Sequence, residues 1–324
     1  MTAGQAAATG IDQHWPGAGG LGAAREQNSI LTWIKSLPLQ APILGLSAKV
    51  GLAMDAIRLP AVAGAFYPGQ AQILSRDVLR LLETAGPVDG PAMEVPKALI
   101  VPHAGYIYSG STAALAFSRL TGARASIRRV VLLGPVHRVP VRGLALPGCA
   151  AFSTPLGTVE IDQEAVATIV SLPQVITSRA VHAAEHALEV QLPFLQSVLD
   201  DFKLLPLAVG DATAAQVAEV LEALWGGRET LIVVSSDLSH YLAYRAAQIV
   251  DQATVQGILE LAGPITHEQA CGGTPINGLM LAARRHQLRP QLLGLCNSGD
   301  TAGDRQRVVG YAAFAFMEPR RAAH

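Results

Sequence analysis

Short apolar runs alternate with amphipathic segments along the chain from about residue 59 onward. Six apolar runs have the length and composition of strands: 98–101, 130–133, 204–209, 231–234, 292–295 and 308–316. Seven amphipathic segments predict helices: 71–83, 112–120, 163–171, 185–199, 214–225, 244–261 and 275–285. Strands that alternate with helices favour an α/β fold, in which a mostly parallel or mixed central sheet carries helices on both faces.

The first 55 residues differ from the rest of the chain. Residues 1–55 are rich in Ala and Gly and show weak periodicity, so we expect an N-terminal extension that is disordered or packs on the body. Residues 56–320 contain no linker and are expected to form a single α/β domain. The N-terminus lacks the pattern of a secretory signal, and Lys49, Asp55 and Arg58 interrupt the apolar stretch 38–65. These features predict a cytoplasmic protein without a membrane span.

Composition narrows the function classes further. Half of the 324 residues are hydrophobic, and the net charge of −1 argues against binding to nucleic acid. The three cysteines, Cys149, Cys271 and Cys296, are widely spaced and form no CxxC pair. An odd number of isolated cysteines is typical of a reduced intracellular protein rather than of a disulfide framework.

Residues whose side chains can take part in chemistry follow three of the predicted strands directly. His103 follows the strand at 98–101, His137 follows the strand at 130–133, and Asp237 and His240 follow the strand at 231–234. Ligands of open α/β sheets bind in the crevice at the carboxyl ends of the strands. We therefore expect these four side chains to share one site at that edge of the sheet.

Cys271 precedes the helix predicted at 275–285. Thr274 is a good N-cap residue and Pro275 suits the first helical position. A helix N-terminus lowers the pKa of a nearby thiol, so the sequence predicts a reactive Cys271, with an inert loop thiol as the alternative.

The segment 182–189, HAAEHALE, offers two interpretations. On a helix, His182 and His186 would share a face, and the letters match the HxxEH zinc pattern of inverzincin peptidases. Alternatively, Glu185 holds a neighbouring histidine in one tautomer. Phosphate-binding loops, a GxGxxG motif after a strand and a GxSxG elbow are absent from the sequence.

Several sequence blocks together resemble the Memo-like family (AmmeMemoRadiSam system protein B). The blocks occur in the family's order between about residues 58 and 317: LPAVAGAFYP (59–68), VPHAGYIYSG (101–110), LLGPVH (132–137), FSTPLGTVEID (152–162), EHALEVQLPFLQ (185–196), SSDLSHY (235–241), ACGGTPI (270–276), NSGD (297–300) and VVGYAAFAF (308–316). The resemblance implies a fold similar to class III extradiol dioxygenases. The first 55 residues lie outside it.

The resemblance also implies a site. It places copper or iron on two histidines and a cysteine, which by position are His103, His137 and Cys271. Four further residues would line the pocket in supporting or acid/base roles: Glu185, His186, Asp237 and His240. Val136 stands where the family often has a small polar residue, which puts the surroundings of His137 in doubt.

Three functions remain open from the sequence. The first is a metal-binding protein with redox activity at the His/His/Cys pocket. The second is a dioxygenase-like enzyme on a small aromatic substrate, with Fe(II) on His103, His137 and a carboxylate from Asp237 or Glu185. The third is a non-catalytic module that binds a small molecule, a peptide or a protein, and the family name implies AMMECR-type and radical-SAM proteins as partners.

Overall fold

Residues 56–86 and 95–319 are described by the structure, a computed structural model. The extension predicted at 1–55 lies outside these residues, so the proposed domain boundary stays a prediction. No helix of the described ranges is long and apolar enough to cross a membrane.

Helices and strands alternate through the described residues. The α-helices are Ala71–Thr84 (α1), Tyr106–Phe117 (α2), Gln163–Ile169 (α3), Arg179–Ala183 (α4), Leu192–Val198 (α5), Ala214–Ala223 (α6), Tyr244–Leu259 (α7) and Gly273–Arg285 (α8). The strands are Ile57–Arg58 (β1), Ala98–Val101 (β2), Arg129–Pro135 (β3), Leu144–Leu146 (β4), Ala151–Thr154 (β5), Gly157–Glu160 (β6), Val175–Thr177 (β7), Lys203–Val209 (β8), Thr230–Ser235 (β9), His240–Leu242 (β10), Arg289–Asn297 (β11) and Val308–Met317 (β12).

Nine of these strands form one mixed sheet. Their order is β10-β12-β2-β9-β3-β8-β4-β7, and β11 pairs with β12. The central strands β2, β9, β3 and β8 are parallel neighbours, whereas β12 joins β2 and β4 joins β8 in antiparallel fashion. The strands β1, β5 and β6 form a separate small sheet.

Helices cover the large sheet on both faces, because its central strands are apolar and buried at 98–101, 130–133, 204–209 and 231–234. Successive side chains of a strand point to opposite faces. In β2, Leu99 and Val101 pack in a core with α1, α2 and α5, whereas Ala98 and Ile100 pack in a second core with α6, α7 and α8. The predicted α/β class with helices on both faces is therefore confirmed, and the architecture is consistent with the dioxygenase-like fold implied by the resemblance.

The carboxyl ends of the central strands lie level with one another. Val101 pairs with Ser235 at the ends of β2 and β9, and Leu133 of β3 pairs with Val234 of β9. The loops that follow these three strands therefore leave the sheet at the same edge. This register, set by fully buried strands, is what brings the polar residues of distant sequence segments together.

The helix predicted at 185–199 is wrong in its first half. Helix α4 ends at Ala183, and the next α-helix, α5, begins only at Leu192. The Glu185 carboxylate accepts a hydrogen bond from the backbone N–H of Ala187 at 2.9 Å. Such local bonds from a side chain to the backbone compete with helix formation, and here the non-helical turn wins.

Candidate metal site

Three histidine rings meet at the carboxyl edge of the sheet. His103 follows β2 and His137 follows β3, and their ring centroids lie 5.1 Å apart. His186, from the turn between α4 and α5, lies 5.3 Å from His103 and 4.6 Å from His137. One ligand atom from each histidine lies within 4.8 Å of the other two, which makes this a group that could hold a metal ion. We call these three residues the histidine cluster.

The tautomer of His103 is fixed by a buried hydrogen-bond chain. The Ser235 hydroxyl donates its single proton to the backbone carbonyl of Ala187 at 2.6 Å. It must therefore accept from both the Gln191 side-chain N–H and His103 Nδ1, each at 2.9 Å. Nδ1 of His103 then carries the proton, and Nε2 keeps a lone pair that is free to bind a metal.

Burial also keeps the His103 ring neutral. Desolvation first, and the neighbouring His137 second, hold the pKa of His103 well below its ordinary value. Metal ligation requires a neutral imidazole, so this environment prepares His103 for that role.

Glu185 fixes the tautomer of His137 by a hydrogen bond, as Ser235 does for His103. One carboxylate oxygen accepts the backbone N–H of His137 at 2.6 Å, and the other lies 2.9 Å from His137 Nδ1. Burial raises the pKa of Glu185, but the bonds and charge of His137 and the backbone N–H of Ala187 outweigh burial and lower this pKa to about 2. The carboxylate is thus ionised and accepts the Nδ1 proton, so that Nε2 of His137 is left unprotonated.

His186 carries an orphaned nitrogen. Its Nδ1 is buried and forms no hydrogen bond, although it lies 3.4 Å from a Glu185 oxygen. Burial, followed by the nearby His103 and His137, lowers the pKa of His186 to about 4. A buried polar atom without a partner needs an explanation, and a cation bound within a cluster of neutral imidazoles supplies one.

Cys271 borders the cluster rather than lying among its three members. Its Sγ lies 3.3 Å from His103 Nε2 and 3.6 Å from the backbone carbonyl of Asp237. Burial and the charge of Asp237 raise the pKa of the thiol to about 12. The predicted lowering of this pKa is therefore wrong, because desolvation outweighs the dipole of α8, which starts two residues later at Gly273 with Thr274 inside its first turn.

Asp237 and His240 both lie beside the cluster. Asp237 accepts the backbone N–H of His103 at 2.7 Å, and its other oxygen lies 4.0 Å from His103 Nε2. Burial raises the pKa of Asp237, although this backbone bond opposes the shift. His240 lies at the start of β10, and its Nδ1 donates to the backbone carbonyl of Leu238 at 2.8 Å. Nε2 of His240 is therefore available to accept or relay a proton.

The inverzincin interpretation of HAAEH is wrong. His182 lies in α4 and His186 lies beyond its end, so the two do not share a helical face. His182 is buried, and its Nε2 donates to the backbone carbonyl of Ala145 at 2.7 Å. It is a structural residue, whereas Glu185 holds the neighbouring His137 as the alternative interpretation expected.

His182 should make stability depend on pH. Burial lowers its pKa from 6.5 to about 4, so the unfolded chain binds more protons than the folded protein between these values. The stability that neutral His182 contributes is present above pH 6.5 and is lost as the pH falls. We expect a decrease of about 1 kcal/mol in the free energy of unfolding between pH 7 and pH 5.5 from this residue. Urea unfolding of His182→Gln, which keeps an N–H donor, should lack this increment; an unchanged pH dependence would contradict the assignment.

Two supporting groups were missed by the sequence analysis. Gln191 donates to both Ser235 and the backbone carbonyl of Pro102, and its apolar surroundings in the sequence gave no hint of this role. Arg58 donates to the backbone carbonyls of His182 and Glu185 at 2.9 and 2.7 Å and forms a buried ion pair with Glu189. These bonds fasten the turn that carries Glu185 and His186.

Fold and site define an α/β protein with a histidine cluster in the crevice at the carboxyl edge of its sheet. A family model described as Memo-like protein matches residues 58–315. The chain therefore belongs to the Memo-like family.

Proteins named as MEMO1 family proteins match most of the chain. A MEMO1 family protein of Methanothermobacter thermautotrophicus is 36% identical over 274 residues, which cover 79% of this chain and 99% of that protein. One from Nitrosopumilus maritimus is 33% identical over 279 residues, with coverage of 81% and 100%. A solved structure of an uncharacterized Escherichia coli K12 protein matches with a TM-score of 0.42 and 14% identity, covering 67% of this chain and 98% of that one.

Proposed function

We propose that this protein binds one redox-active metal ion, iron or copper, at the histidine cluster. The main observation that supports this proposal is that His103, His137 and His186 place three potential ligand atoms within 4.8 Å of one another. Hydrogen bonds at Nδ1 leave Nε2 of both His103 and His137 unprotonated, and His186 has an unpartnered buried nitrogen. Imidazole donors suit iron, copper and zinc, and the resemblance selects the first two.

The third ligand is the point on which family resemblance and geometry differ. The resemblance assigns it to Cys271, whose Sγ lies 3.3 Å from His103 Nε2. The geometry groups His186 with the other two histidines. A thiolate would make the donor set softer and favour Cu(I), whereas three imidazoles suit iron and copper alike.

The bound metal would supply electron transfer or the polarisation of a ligand atom. The protein's own residues do the rest: Glu185 and Ser235 keep the ligand histidines in one tautomer, and both of these supporting residues are buried. His240 supports an acid/base role because its Nε2 is free and its ring is only half-buried.

Elemental analysis of anaerobically purified protein tests the proposal. Wild type should carry close to one iron or copper per chain, and His103→Ala should carry none. Of Cys271→Ala and His186→Ala, the variant that loses the metal identifies the third ligand, while Cys296→Ala is the matched thiol control. Wild type that is metal-free and takes up neither Fe(II) nor Cu(I) would refute the proposal.

A dioxygenase-like activity is the second candidate. Asp237 places a carboxylate oxygen 4.0 Å from His103 Nε2, and two histidines with a carboxylate are the usual ligands of non-haem Fe(II) oxygenases. The expected result is oxygen uptake by Fe(II)-loaded protein with one member of a catechol panel. If no catechol gives uptake above the metal-free control, this candidate is lost.

A cytoplasmic location and family partners complete the proposal. All three cysteines of the chain are unpaired, which supports a reducing compartment. The family resemblance alone supports AMMECR-type and radical-SAM proteins as partners, and the pocket would accept a small molecule or a peptide end.

A further inference from the structure

Three non-glycine residues of the described chain adopt a positive φ: Tyr241, Leu261 and Gln287. Two of them end helices. Leu261 follows α7 and Gln287 follows α8, and the next N–H in each case bonds back to the helix, from Ala262 to Gly257 and from Leu288 to Ala283. A left-handed residue is the ordinary way to end a helix in this manner. These two conformations therefore need no functional explanation.

Tyr241 has no such explanation. It lies inside the strand β10 with φ at 59°, at a register shift between His240 and Leu242 against β12. Glycine is the usual left-handed residue of a strand bulge, because an aromatic side chain is strained there. The side chain is 63% exposed, so core packing does not compensate for the strain. Bulges of this kind re-aim side chains beside active sites.

The Tyr241 ring contacts both His240 and an arginine. Its centroid is 5.8 Å from that of His240, and the Arg307 guanidinium lies over the ring, 5.0 Å from its centroid. In the part of the chain that the structure describes, Arg307 has no carboxylate partner, and Asp304 accepts its backbone N–H instead.

We propose that Tyr241 and Arg307 form a binding platform for a small planar carboxylate, which stacks on the tyrosine ring and pairs with the guanidinium. A single guanidinium matches one carboxylate in bidentate fashion, whereas a dianionic phosphate calls for more positive charge. The inference goes beyond the proposed function, because the platform needs no bound metal. It names the class of ligand that this surface selects.

Benzoate and its neutral analogue benzamide are the probes, titrated into metal-free protein and followed by NMR. Benzoate should bind more tightly than benzamide, and Arg307→Gln should weaken benzoate about fivefold, as expected of an exposed bidentate ion pair. Arg305→Gln is the matched control, because this arginine also stacks on a tyrosine, Tyr244, at 4.6 Å, but its Nε bonds to the backbone carbonyl of Gly299. Its benzoate affinity should stay at the wild-type value.

The variant Tyr241→Gly distinguishes a role of Tyr241 in ligand binding from a purely structural role. Relief of backbone strain should raise Tm by about 2–4 °C, while benzoate affinity falls. Gln287→Gly relieves the same conformation at a helix end, so it should raise Tm without changing benzoate affinity. The proposal is overturned if benzoate binds no better than benzamide, if Tyr241→Gly binds benzoate like wild type, or if Arg305→Gln weakens binding as much as Arg307→Gln. Since no metal enters these titrations, a failure of the metal proposal would show separately in the elemental analysis.

Discussion

Replacement of Arg58 by methionine should lower the free energy of unfolding by about 3–5 kcal/mol, the usual cost of leaving one charge of a buried pair without its partner. Arg58 is 7% exposed and Glu189 is fully buried. Glu189 also accepts the Tyr67 hydroxyl at 2.6 Å, so its carboxylate has no route to solvent when the guanidinium is removed. Urea unfolding at neutral pH measures the loss.

An exposed ion pair in the same chain is the control. Arg124 and Asp200 are each about half exposed, and Arg124→Met should cost less than about 1 kcal/mol. The double variant Arg58→Met/Glu189→Leu should recover only part of the stability, because it removes both buried charges but leaves the Tyr67 hydroxyl and the N–H groups of Ala61 and Val62 without their acceptor. Equal losses for Arg58→Met and Arg124→Met would contradict the assigned role of the buried pair.

Glu185→Gln should weaken metal binding by about 10- to 100-fold, the usual effect of removing a partner that orients a ligand histidine. The carboxylate accepts two N–H groups of His137 and one of Ala187. A glutamine amide can accept on one side only, so at least one of these donors loses its partner and His137 is no longer held in one tautomer. A competition titration with a chelator of known affinity measures the change.

The matched control is Glu164→Gln, at the exposed first turn of α3. It removes the same charge far from any assigned role, and we expect the metal affinity of this variant to equal that of wild type. If Glu185→Gln also retains wild-type affinity, the carboxylate does not orient His137 for a metal. The tautomer argument would then have to be abandoned.

The position of the candidate site at the carboxyl edge of the sheet could be predicted, because it depends on local sequence patterns. Strands that are buried on both faces appear in the sequence as unbroken apolar runs. Polar residues that follow such strands directly, as His103 and His137 do, rarely have a structural role. Neighbouring parallel strands end at the same edge of the sheet, so strand order predicts that the residues after these strands share one site. The metal-ligand roles of these residues remain predictions, as does that of Cys271.

The other features of the site depend on long-range contacts and burial, which a local sequence pattern does not record. The turn at Glu185 combines a local bond to the N–H of Ala187 with bonds to His137, which lies 48 residues away in the chain and which the local pattern does not reveal. Arg58 reaches Glu189 across 131 residues. The thiol of Cys271 was expected to be acidic from its place before a helix, but its pKa depends on burial, which the local sequence does not reveal.

Under the proposed function, the spacing of the donors along the chain determines when a metal ion can bind. The Cys271 thiol and the His103 ring come together across 168 residues, and the other histidines come from separate loops. An unfolded chain offers only scattered single donors, and closing such long loops around an ion would cost much conformational entropy. Under the proposed function, metal binding would therefore follow folding, unlike in a zinc finger, in which the metal directs folding. A cell short of metal would then accumulate folded, metal-free protein.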